Sequence, residues 1–115
     1  MSYVLRDTLT GQYYANPHEK DTVLAEENEV PRSYGSPAGL KGCITKACNF
    51  WKEMLPFLKE DPQEWADTWG SARADCGQGA VQVRHILDRE HLDNYGMEVV
   101  EVEIHVTQHV TVTEI

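Results

Sequence analysis

The hydrophobic pattern along this chain changes period from segment to segment, and each change marks an element. Near the end, Val100, Val102, Ile104, Val106, Val110 and Val112 occupy even positions. Odd positions there hold Glu101, Glu103, His105, Thr107, His109, Thr111 and Thr113. Period-two alternation gives one apolar and one polar face, so an amphipathic β-strand is predicted from near Glu98. Its length of about fifteen residues corresponds to roughly 50 Å, well beyond the usual five or six residues. No Gly, Pro or Asn-Gly marks a turn near Thr107-Gln108, so the expectation is one long strand, extended or bent. Its end would reach onto another chain, in a homodimer or higher homo-oligomer.

At the other end, Tyr3-Val4-Leu5-Arg6 and Gln12-Tyr13-Tyr14 are β-prone. Residues 7–11 separate them and finish on Gly11, which predicts a β-hairpin. Residues 21–25 and 29–34 read as further short strands, with Pro31 pushing the second toward an edge. Ser36-Pro37 is a helix start, an N-cap followed by proline at the first helical position. Leu40, Ile44, Ala47, Cys48 and Trp51 then recur at helical spacing, predicting a helix over 37–54 that Pro56 interrupts. Asp61-Pro62-Gln63-Glu64 is a second start, with Trp65 and Trp69 on one face. Val83, Ile86, Leu87 and Leu92 favour a helix over 80–95 ending at Gly96, with a strand at 81–83 as the alternative. The sum is an α+β fold: a small antiparallel sheet, made of an N-terminal hairpin and a long C-terminal strand, packed with two or three helices. It forms a single domain over 1–115 with a helical insertion at about 53–75.

Composition fits this picture. The chain has 115 residues, 41% hydrophobic and 25% charged, which suits one domain with one core. No apolar run approaches the ~20 residues of a bilayer span, and the N-terminus lacks the basic start and apolar stretch of a signal peptide. A cytoplasmic location is therefore expected. The net charge of −9 is uneven: residues 51–115 hold thirteen acids against five bases. Phosphate binding requires the opposite sign, so direct nucleic-acid binding is disfavoured. An acidic surface suits a basic protein surface, including that of a nucleic-acid-handling complex.

Candidate chemistry adds little. His105 and His109 share a strand face but stand about 13 Å apart on a straight strand, too far for one ion. Cys43, Cys48 and Cys76 lack metal-ligand spacing, read as reduced cysteines, and make no zinc site. No metal or cofactor is expected, and no catalytic residue is assigned. Cys76 beside a histidine, or the Glu101 and Glu103 pair, would be the groups of a small hydrolase-like enzyme. Arg32, Tyr34 and Lys41 flank the helix start and are the residues with which a nucleotide would be gripped. Trp65, Trp69, Glu101 and Glu103 are the candidate partner-binding residues, large aromatic anchors and exposed carboxylates.

Tyr3-Val4-Leu5-Arg6-Asp7 with Thr10-Gly11-Gln12-Tyr13-Tyr14, then residues 30–36 opening a helix through Lys41, resembles small accessory proteins of bacterial viruses. Residues 97–103 are similar in style to the closing strands of such proteins. The likeness covers about half the chain, leaves out residues 53–75, and assigns no ligand residues. It implies a phage-type protein that inhibits a bacterial defence component without catalysis, anti-CRISPR proteins being one instance. A sponge for a cyclic nucleotide immune signal is the alternative. Either would act in the bacterial host cytoplasm.

Overall fold

The computed structural model describes residues 1–19, 22–65, 67 and 78–115. The α+β reading holds. Strands β1 (Ser2–Asp7), β2 (Met97–Val106) and β3 (Val110–Glu114) form an antiparallel sheet in the order β1-β2-β3. Both ends of the chain therefore meet in one sheet, with Ser2 opposite Val102 and Asp7 opposite Met97.

The long C-terminal strand is a hairpin. β2 ends at Val106, the chain turns through residues 107–109, and β3 returns along β2 with Val110 opposite Val106 and Val112 opposite Ile104. Directly paired residues share a face, so the alternation survives the reversal, and sequence period alone cannot reveal the turn. The turn closes through the Thr107 N–H, which donates to the His109 carbonyl at 3.1 Å. Asn28 then accepts the Val110 N–H on its Oδ1. That long-range clamp replaces the local Gly or Asn-Gly signal. With the strand folded back, its length no longer argues for a second subunit.

The two faces of the sheet are not simply apolar and polar. On the odd face, Leu5 and Met97 are buried and Val99 is half-buried against the helices. On the even face, Val4 and Val102 are buried. Toward the hairpin tip both faces open, and Val106 is 63% exposed.

Helix α1 (Pro37–Glu60) buries Leu40, Ile44, Ala47, Trp51 and Leu58, which extends the expected apolar face by almost two turns. Pro56 lies inside the helix and does not end it. A proline there loses one backbone bond at a cost of about 3 kcal/mol. The completely buried Leu58 beyond it contributes about 1.5–3 kcal/mol in return, so packing carries the helix past the break. Asp61 then caps the next turn as expected, its Oδ1 accepting the Glu64 N–H at 3.1 Å, and residues 62–65 are helical.

Helix α2 (Gln78–Arg89) settles the choice at 81–83 in favour of helix. It stops at Arg89 instead of running to Gly96. A short 3-10 turn, Asp93–Gly96, follows, with Asn94, Tyr95 and Gly96 at positive φ. Tyr95 tolerates this unfavoured backbone because its ring is buried edge-on to Trp51, 5.4 Å between centroids.

The N-terminal turn forms as expected around Gly11 (φ +79). Its return is a single bridge from Tyr13 to Arg6, and Leu24 and Tyr34 likewise make isolated bridges, to Tyr14 and Tyr3. The described parts of the predicted short strands, 12–14, 22–25 and 29–34, are thus irregular chain joined by isolated bridges, and Asp21 lies outside the described residues.

Candidate functional site

Among the described residues, the sheet has one guarded edge and one open edge. In antiparallel pairs alternate residues direct their backbone groups to opposite sides of the strand. In β1 the even residues face β2, so Tyr3, Leu5 and Asp7 point outward, and all three are met. Tyr3 exchanges two bonds with Tyr34, Leu5 accepts from Tyr14, and Asp7 bonds to Gln12 and Gly11. In β3 the phase is fixed by Ile115, whose N–H donates to the Glu101 carbonyl at 3.0 Å. Odd residues of β3 therefore face β2, and Val110, Val112 and Glu114 point outward. Asn28 occupies the first of these. Among the described residues nothing meets the backbone groups of Val112 or Glu114.

An acidic turn stands at the end of this edge. The Glu29 N–H donates to the Glu26 carbonyl, and the Glu29 carboxylate accepts the Glu26 N–H, both at 3.1 Å. Asn28 sits in the left-handed region (φ 66), a conformation asparagine tolerates better than most residues. Glu26, Glu27 and Glu29 are all exposed. With Tyr13, Val110 and Val112 they line a groove of about 350 Å³. At the strand's far end Glu114 is already engaged, accepting from the Tyr13 hydroxyl and paired with Arg6 at 3.2 Å.

Four of the eight described lysines and arginines are likewise committed to carboxylates. Arg6 pairs with Glu98 and Glu114, Lys59 with Glu90, Arg84 with Asp88, and Arg89 with Asp7. The surplus negative charge is left on exposed carboxylates.

A second constellation lies inside the fold, where sequence reasoning did not place it. Arg89 makes a two-pronged pair with Asp7, both bonds 2.8 Å, and a third bond to the His85 carbonyl at 3.0 Å. Thr10 donates to Asp7 from its backbone and its hydroxyl. His85 Nε2 and the Tyr14 hydroxyl share a bond of 2.9 Å, and Trp51 meets the imidazole edge-on. Burial alone would raise the Asp7 pKa, but the Arg89 and Thr10 bonds outweigh it and hold the carboxyl down at about 2. Burial, then the Arg89 charge, lowers His85 to about 4, so the imidazole is neutral at pH 7. Burial pushes the Tyr14 phenol far up. Among the described residues, every strong perturbation belongs to one network that ties β1 to α2, the arrangement of a structural clamp, although His85 and Arg89 also line a surface groove of about 370 Å³ with Val81, Arg84 and Asp88. One signal was available in the sequence: His85 and Arg89 are spaced i,i+4 on the same face as Gln82 and Ile86, so polar groups stand among the buried positions of a helix.

The residues singled out by sequence fall on separate parts of the fold. Trp65 packs beside Phe57 at the end of α1, ring centroids 6.4 Å apart, and lines a groove with Glu60, Asp61 and Glu64. Trp69 and Cys76 lie outside the described residues. Glu103 is exposed on β2 and stands 3.6 Å from His105. Glu101 corrects the expectation of an exposed carboxylate: it is half-buried, and its Oε1 is covered without a hydrogen-bond partner among the described residues. Its face turns toward the Tyr3 side of the sheet, which the helices cover in part. Arg32 lies over the Tyr34 ring, 5.4 Å from its centroid, and also donates to Asn16. Tyr34 further abuts Gly39. Lys41 lines a different groove, with Ile44, Thr45 and Asn94. Cys43 and Cys48 are free and half-buried, and burial raises the Cys48 thiol.

Comparison with family models, curated proteins and solved structures finds no match to this chain. No described helix is long and apolar enough to cross a membrane.

Proposed function

We propose that this chain is a non-catalytic accessory protein that inhibits a bacterial defence component by covering a basic surface of it, in the manner of phage anti-defence proteins such as anti-CRISPR inhibitors. The observation that carries the reading is the disposition of charge. Arg6, Lys59, Arg84 and Arg89 already face carboxylates, while Glu26, Glu27, Glu29 and Glu103 remain exposed. Such a surface attracts a basic partner, speeding encounter and setting specificity more than raw affinity. Trp65, beside the exposed Phe57, supplies an aromatic anchor of the kind that concentrates binding energy.

The test is capture of a partner by the tagged chain from a bacterial lysate, followed by elution with increasing salt. A partner lost as salt rises, and lost at lower salt from a Glu26→Gln, Glu27→Gln, Glu103→Gln variant, supports the reading. Recovery of the chain alone, or of a partner indifferent to salt and to these charges, sinks it.

A further inference from the structure

The open edge of β3 narrows the kind of partner. Proteins usually blunt a free sheet edge with proline, lysine, a bulge or a covering segment. Here β1 is covered along its length, while β3, with the sequence Val-Thr-Val-Thr-Glu, carries among the described residues none of these devices beyond Asn28 at its first residue. The outward N–H and C=O of Val112 and Glu114 alternate as a strand partner requires. Glu26, Glu27 and Glu29 stand at the end of that edge and line the same groove as Val110 and Val112. Among the described residues, no lysine, arginine or histidine contributes to its lining.

Resting on the basic-partner reading above, we propose that β3 is a strand-addition site that accepts an extended basic segment of the target protein. The segment would hydrogen-bond through its backbone to Val112 and Glu114 and set its lysine or arginine side chains against Glu26, Glu27 and Glu29. Backbone bonds supply the affinity in this mode, and flanking side chains supply the choice of sequence. Charge selects the occupant. A second copy of this chain, at net charge −9, would bring its own β3 and acidic turn against the first, whereas a basic strand meets opposite charge.

Amide hydrogen exchange of the full chain, read by NMR, tests this with a short synthetic peptide alternating lysine and valine. At a peptide concentration ten times Kd the edge is free about a tenth of the time, so exchange at the Val112 and Glu114 amides slows about tenfold. The same peptide N-methylated on the residues that would bond to the edge should lose this protection. So should the Val112→Pro variant, which removes an outward N–H without touching the bonds to β2. The methylated peptide keeps the test valid if that variant unfolds. An alternating glutamate and valine peptide should give no slowing. Peptide binding that protects other amides instead, or that survives methylation, overturns the strand-addition site and leaves the basic-partner reading intact. Absence of binding overturns the site as well, and the salt-elution experiment then decides the broader reading separately. Protection of Val112 and Glu114 that rises with protein concentration, with no peptide present, also overturns it, because a second copy is then the occupant.

Discussion

Replacing Asp7 by asparagine removes the charge that holds Arg89 inside the protein. Asp7 has no exposed surface and Arg89 is 5% exposed, and two bonds of 2.8 Å join them. Removing one partner of such a pair strands the other charge in a dry site, at a cost of about 3–5 kcal/mol. A domain of this size is stable by only about 5–15 kcal/mol, so the variant should lose a large fraction of its stability. Urea unfolding followed by tryptophan fluorescence, to which the buried Trp51 contributes, measures it, as a lower midpoint at nearly unchanged slope. The double variant Asp7→Leu, Arg89→Met replaces the pair with apolar groups and should recover most of the loss, because it leaves no charge uncompensated. A single variant within about 1 kcal/mol of the parent would refute the claim that this pair clamps α2 to β1.

The same network sets a pH profile. His85 has its pKa lowered from 6.5 to about 4, so the unfolded chain binds the extra proton first. Stability is full above pH 6.5 and falls by about 3 kcal/mol as the pH drops through that window. Asp7, lowered from 3.8 to about 2, adds a further loss of about 2 kcal/mol as the pH falls below 3.8. His85→Gln should flatten the upper window in urea titrations at stepped pH. Pro56→Ala restores a helix bond and should raise stability by about 1–3 kcal/mol, seen as a higher thermal midpoint. Gly96→Ala should lower it by about 1–2 kcal/mol, since φ is +77 and the new Cβ would stand 3.0 Å from the Thr8 hydroxyl.

What was legible in the sequence was local. Leu40, Ile44, Ala47 and Trp51 spell out the buried face of α1, and Gly11 marks its turn through a backbone only glycine adopts freely. What was hidden depends on partners far away in the chain. The Val106-to-Val110 reversal carries no turn residue, and its clamp, Asn28, is 82 positions distant. Asp7 and Arg89 are equally remote, and neither strand period nor helix period reports a charge pair between two elements. Pro56 misled in the opposite direction: a local rule predicted an end, and the burial of Leu58 overrode it. The candidate site was half legible. The acidic surplus is countable from composition, whereas the open edge appears only once β3 is known to pair on one side.

Native mass spectrometry of the complex recovered from bacterial cells tests the central claim most directly, because it reports partner and stoichiometry together. The account predicts this chain bound to a larger protein, in a complex that dissociates when formed with Glu26→Gln, Glu27→Gln, Glu103→Gln. A chain that runs only as itself, alone or in multiples, would contradict it.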